Sequence, residues 1–116
     1  MEAVRTGIRT EEVVRQTVER LLQDVRVHQV ILFGSHALGD ADSWSDVDLA
    51  VVSPDFARMG HRKLMDLLVE VALAVDPRVE VRPYTPRNLK EARPTNFLGH
   101  ILKHGKIVYR NGKFLL

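Results

Sequence analysis

The chain has 116 residues, so one domain with a real core and without a separate substrate-binding unit is expected. Apolar residues at 45% and charged residues at 28% are globular values that exclude a disordered or low-complexity chain, and the lack of cysteine excludes disulfides, thiolate zinc sites and a cysteine nucleophile. The net charge of +2 is unevenly spread, because residues 1–55 carry five Lys/Arg against ten Asp/Glu whereas residues 56–116 carry twelve against five.

Thr10 before Glu11 and Glu12 predicts a helix start, with acids near the positive end of the helix dipole. Val14, Val18, Leu21, Leu22 and Val25 then form one apolar stripe. The stretch Val27 to Phe33 holds a short, partly β-branched run that suits a central strand ending at Gly34. Val47 to Val52 is a second strand, closed by Ser53-Pro54-Asp55. Leu64, Leu67, Leu68, Val71 and Val75 predict a helix over Met59 to Val75, stopped by Asp76-Pro77. Val79 to Tyr84 is a third strand, and Thr85-Pro86 opens a short helix to about Glu91. Thr95 to His104 is a further helix with Phe97 and Ile101 inward and Leu98 as a further inward candidate, and Gly105 stops it. Lys106 to Tyr109 is a strand that Asn111-Gly112 turns back into Phe114-Leu115-Leu116. One α/β (α+β) domain over residues 1–116 is the expected architecture.

No apolar run approaches the roughly 18 residues of a membrane span, and Met1-Glu2-Ala3-Val4-Arg5 lacks the apolar core of a signal peptide, so a soluble cytoplasmic protein is expected.

The chemistry concentrates in Leu32-Phe33-Gly34-Ser35-His36-Ala37-Leu38-Gly39 and Ser45-Asp46-Val47-Asp48-Leu49. Residues two apart on a strand share a face, so Asp46 and Asp48 aim two carboxylates at one place. Neighbouring anions repel unless solvent separates them or a divalent cation such as Mg²⁺ lies between them on hard oxygen ligands. Gly34 lets a phosphate approach the backbone, the Ser35 hydroxyl and nearby amides are donors, and Gly39 permits a tight exit. Without a lysine this cradle is not the Walker pattern.

On Gly34-Ser35, Asp46-Val47-Asp48 and Glu80, taken in order, the sequence resembles the polymerase-β-type nucleotidyltransferase superfamily, in particular its minimal nucleotidyltransferases. The similarity runs through the closing segment Ile101 to Tyr109. Two positions depart from the usual pattern: Leu38 stands where relatives often carry arginine, and Glu80 stands where the third acid is commonly aspartate.

The resemblance implies a polymerase-β-like fold with a mixed sheet flanked by helices. It also implies transfer of a nucleoside monophosphate, with ATP as the donor of AMP, to a hydroxyl acceptor through a two-metal Mg²⁺ site. Asp46, Asp48 and Glu80 would be the catalytic and metal-holding acids, and Gly34, Ser35 and Ser45 would hold the nucleotide. The partner it suggests is a small helical HEPN-domain protein, with this chain as the antitoxin of a toxin–antitoxin pair and the assembly a homo- or hetero-oligomer. A non-catalytic binding antitoxin and a transferase acting on a small molecule such as an aminoglycoside are the alternatives.

Other features have plainer readings. Asp76 is a fallback third acid whose place before Pro77 favours a turn role. His100 and His104 have zinc-compatible spacing without a third ligand nearby, so a solvated helix face is expected. His36 is expected as an exposed loop side chain, with phosphate contact as the alternative, and Trp44 as a packing residue. Arg82, Arg87, Lys90 and Arg93 are basic without interleaved aromatics, so nucleic acid is not an expected direct substrate. Arg82 shares strand parity with Glu80 and is open to two roles, reaching the triphosphate or pairing with that acid.

Overall fold

A computed structural model describes residues 2–39 and 45–116. The elements in chain order are helix α1 (Glu2–Leu22), strand β1 (Gln29–Phe33), helix α2 (Ser35–Leu38), strand β2 (Val47–Val52), a 3-10 turn (Pro54–Arg58), helix α3 (His61–Val75), strand β3 (Val79–Tyr84), helices α4 (Pro86–Lys90) and α5 (Phe97–His104), and strands β4 (Lys106–Arg110) and β5 (Lys113–Phe114). Trp44 lies outside the described residues. Among the described residues, no helix is long and apolar enough to cross a membrane.

The strands form one mixed sheet in the order β3-β2-β1-β4-β5. β1 lies antiparallel to β2 and to β4, while β2 and β3 are parallel, with α3 as the crossover a parallel pair requires. Strand alternation divides the core in two. Val47, Leu49 and Val51 point to the face covered by α1 and α3, where they meet Val14, Val18, Leu21, Leu67 and Val71. Ile31 and Ala50 point to the opposite face, where Leu98 and Ile101 of α5 cover them. Asp48, two residues before Ala50, therefore shares the α5 face.

Several expected boundaries hold. Thr85 and Asn88 form a reciprocal capping box at α4, and Asn111 and Gly112 both adopt positive φ, as the tight turn into β5 demands. Three expectations are corrected. α1 begins at Glu2, so Thr10 is an interior residue and not the cap; Glu2, Ala3, Arg5 and Arg9 favour helix strongly enough to extend it upstream. α3 begins at His61, two residues later than Met59. The cap of α5 is Asn96, whose side chain accepts from the Gly99 amide, so Leu98 and Ile101 are the buried pair and Phe97 is 47% exposed.

Gly99 fits there because a Cβ would strike the Arg93 backbone. Asp76, the fallback acid, is a turn residue: its carboxylate accepts from the Arg78 amide at 2.9 Å and pairs with the guanidinium at 3.1 Å.

Candidate active site

Three strands bring the expected residues to one corner of the sheet. Asp48 on β2 lies in register between Phe33 on β1 and Glu80 on β3. Phe33 is the last residue of its strand, so the chain turns at Gly34 directly beside the Asp48 carboxylate. The approach is close enough that a Cβ on Gly34 would collide with Asp48 Oδ2. Gly34 also has φ 78° and ψ −155°, a region open essentially to glycine alone. Sterics thus dictate this residue twice, through its backbone angles and through its neighbour.

Ser35 opens the one-turn α2, whose N-terminus has no side-chain cap and whose far end is closed by Gly39 in the left-handed conformation. The first amides of a helix lack intrahelical partners, so those at Ser35 and His36 are donors near the corner. Asp46 lies exposed just before β2, Asp48 is half-buried and Glu80 is exposed.

Asp48 carries the electrostatic load of the corner. Burial raises its pKa first, and the negative charges of Glu80 and then Asp46 raise it further; His36 and Arg82 oppose the rise. Glu80 and Asp46 thus both act on the Asp48 carboxylate. Among the described residues, no three His, Asp or Glu side chains are drawn into a ready-made metal cage. The donor set still suits a hard divalent cation: it is all oxygen, it is mutually repulsive, and it faces a turn stripped of side chain where an anionic ligand can add its own oxygens.

His36 is not the exposed loop side chain expected. Its Nδ1 lies 3.0 Å from the Thr10 hydroxyl and its Nε2 lies 3.4 Å from the Ser45 carbonyl. A carbonyl only accepts, so Nε2 donates, and in the neutral ring Nδ1 accepts the Thr10 proton. The imidazole thereby ties α1 and α2 to the segment that delivers Asp46. Spacing gave no signal of this link, because Thr10 and His36 are 26 residues apart.

Beside the acids stands an aromatic group that the sequence did not assemble. Phe97 meets Phe33 edge to face with centroids 5.8 Å apart, and the Arg82 guanidinium carbon lies 4.6 Å from the Phe97 centroid. His100 lies nearly parallel to Phe97 at 6.1 Å, and His104 is 4.5 Å beyond His100.

The sequence model of the nucleotidyltransferase domain family matches residues 14–106. The chain belongs to this family. MJ1305 of Methanocaldococcus jannaschii, named as a candidate protein adenylyltransferase, is 31% identical over 88 residues. That match takes in 73% of this chain but 60% of the relative, so the chain spans well under two thirds of its length. Among solved structures, a candidate nucleotidyltransferase of Sulfolobus solfataricus superposes with a TM-score of 0.72 at 19% identity, over 100% of this chain and 96% of the other. A complex of a tri-AMPylated Shewanella oneidensis HEPN toxin with an MNT antitoxin also superposes, at a TM-score of 0.53 and 17% identity, covering 91% and 73% of the two chains. At these identities the structures establish a shared fold. The matched residues 14–106 include Gly34-Ser35 and Asp46-Val47-Asp48, and the mixed sheet is the one the resemblance implied.

Proposed function

We propose that this family member is a Mg²⁺-dependent adenylyltransferase that moves AMP from ATP to a hydroxyl of a protein partner, a helical HEPN protein neutralised as a toxin. The observation that carries this reading is the packing of bare Gly34 against Asp48, with Asp46 and Glu80 acting on the same carboxylate. The relative named for protein adenylyltransferase activity and the AMPylated toxin complex support the choice of AMP and of a protein acceptor.

In this scheme the Ser35 hydroxyl and the amides of the 34–36 turn hold the β- and γ-phosphates, with Ser45 beside them. Asp46, Asp48 and Glu80 would hold Mg²⁺, which when bound neutralises the phosphate charge that develops during displacement. The acceptor oxygen attacks the α-phosphorus, the bond from that phosphorus to the bridging oxygen breaks, and pyrophosphate leaves. Glu80, on the edge strand and exposed, takes the hydroxyl proton.

The test is transfer from α-labelled ATP in the presence of the co-purifying partner. Label should appear on the partner with the native chain and vanish with Asp46→Asn/Asp48→Asn. Label on a small-molecule product would reject the protein acceptor, and label that survives the double substitution would reject the site.

The exposure of Glu80 and the open spacing of the acids favour one second reading, a binding module with an idle metal site. Toxin neutralisation that persists in Asp46→Asn/Asp48→Asn supports binding over transfer.

A further inference from the structure

We propose that Arg82 is an anion-binding residue of this corner, held in place by the Phe97 ring, and that it takes a phosphate oxygen of the donor nucleotide. The inference rests on the nucleotidyltransferase reading of the site and adds a residue to it.

Arg82 is two residues beyond Glu80 on β3 and pairs in register with Ala50, two residues beyond Asp48. It therefore points to the same face as both acids. Its charge is felt at Asp48, yet among the described residues no carboxylate forms an ion pair with it. A cation that acts on Asp48 and, among the described residues, forms no ion pair keeps its guanidinium donors available.

Phe97 explains how the side chain is kept there. Stacking on a ring uses the flat face of a guanidinium and leaves the N–H groups on its rim available, unlike an ion pair, which consumes them. The ring is itself fixed edge-on against Phe33, the residue before Gly34. Phe33, Phe97 and Arg82 thus run across the sheet from the phosphate-cradle strand to the edge strand, just behind Asp48. Exposing a phenylalanine at 47% has no packing rationale in α5, whose inner face is Leu98 and Ile101, and the ring's contacts are with the rim of the site. Arginine's planar fork suits two phosphate oxygens at once, and a triphosphate arriving beside three carboxylates needs such a counter-charge.

The experiment titrates ATP by calorimetry into the full-length chain, Arg82→Gln, Phe97→Leu and the double variant, with Mn²⁺ titrated separately. Arg82→Gln should weaken ATP by about tenfold or more while Mn²⁺ binding is retained. Phe97→Leu should weaken ATP by about threefold, and that loss should disappear in the Arg82→Gln background, because the ring acts through the guanidinium.

Unchanged ATP affinity in Arg82→Gln overturns the inference, as does a Phe97 effect that persists in full without Arg82. Unchanged ATP affinity with a raised KM for the acceptor would also overturn it and assign Arg82 to an anionic group on the acceptor. If the native chain fails to bind ATP at all, the nucleotidyltransferase reading falls with it; if the native chain binds and Arg82→Gln binds equally, this inference alone falls.

Discussion

Gly34 and Asp48 approach so closely across β1 and β2 that no side chain can be added at the first without displacing the carboxylate of the second. Gly34→Ala should therefore act twice. The positive φ with extended ψ costs an alanine about 1–3 kcal/mol in folding stability, and the displaced Asp48 loses its place in the site. Chemical denaturation and ATP titration check the two effects, and both should be present in the one variant. By contrast Gly39, also at positive φ but with no atom of the described residues within 4 Å of an added Cβ, should lose stability on substitution with alanine while keeping nucleotide affinity.

Asp48 is destabilised in its charged form by burial, with Glu80 and Asp46 adding to the effect, so its pKa is raised on folding. A carboxyl with a raised folded pKa binds its proton more readily in the native state than in the unfolded one. Stability therefore rises as pH falls through the raised value toward the ordinary carboxylate range, and the penalty is fully present above it. In the metal-free chain, Asp48→Asn should raise urea stability at pH 7, and the difference should shrink toward pH 4. Added Mg²⁺ should narrow the gap from the other side by stabilising the native chain alone.

Asp55 behaves with the opposite sign. Its carboxylate accepts from the Arg26 guanidinium at 2.8 Å and from the Arg26 amide at 2.7 Å, which lowers its pKa to about 2. The contribution is present above the ordinary aspartate range and is lost as pH falls from about 4 through about 2. Asp55→Asn should reduce stability modestly at pH 7, with the difference from the native chain shrinking as pH falls below about 4 and disappearing below about 2. Because the pair is exposed, high salt should also diminish it.

Leu98 is inward, as helical spacing allowed, whereas Phe97 faces out against expectation. Leu98→Ala should cost about 2–5 kcal/mol in unfolding experiments, as expected for a leucine closed over Ile31 and Ala50. Phe97→Ala should cost far less in stability, because its ring stands at the surface.

What the chain disclosed in advance follows from the range of each physical signal. Strands β2 and β3 were legible to the residue, since a β-branched run bounded by turn residues is a local pattern. The face of Asp48 was legible because strand parity sets it with Ala50, whereas Asp46 lies just before β2, where parity does not reach. The start of α1 was not legible, since Thr10, Glu11 and Glu12 satisfy a capping pattern that the helix-favouring residues upstream override. Helix α5 starts at Phe97, two residues after the expected Thr95, capped by Asn96, and its buried face runs through Leu98 and Ile101, leaving Phe97 outward. The bond from Thr10 to His36 and the stack of Arg82 on Phe97 depend on which surfaces the fold apposes. No local spacing encodes either one.

The central claim is that Asp46, Asp48 and Glu80 hold a divalent cation beside the glycine turn, and Mn²⁺ binding followed by electron paramagnetic resonance tests it most directly. In the presence of ATP the native chain should deplete the free Mn²⁺ signal, and Asp46→Asn/Asp48→Asn should restore it while remaining folded. Equal depletion by both proteins, or none by the native chain, would contradict the account.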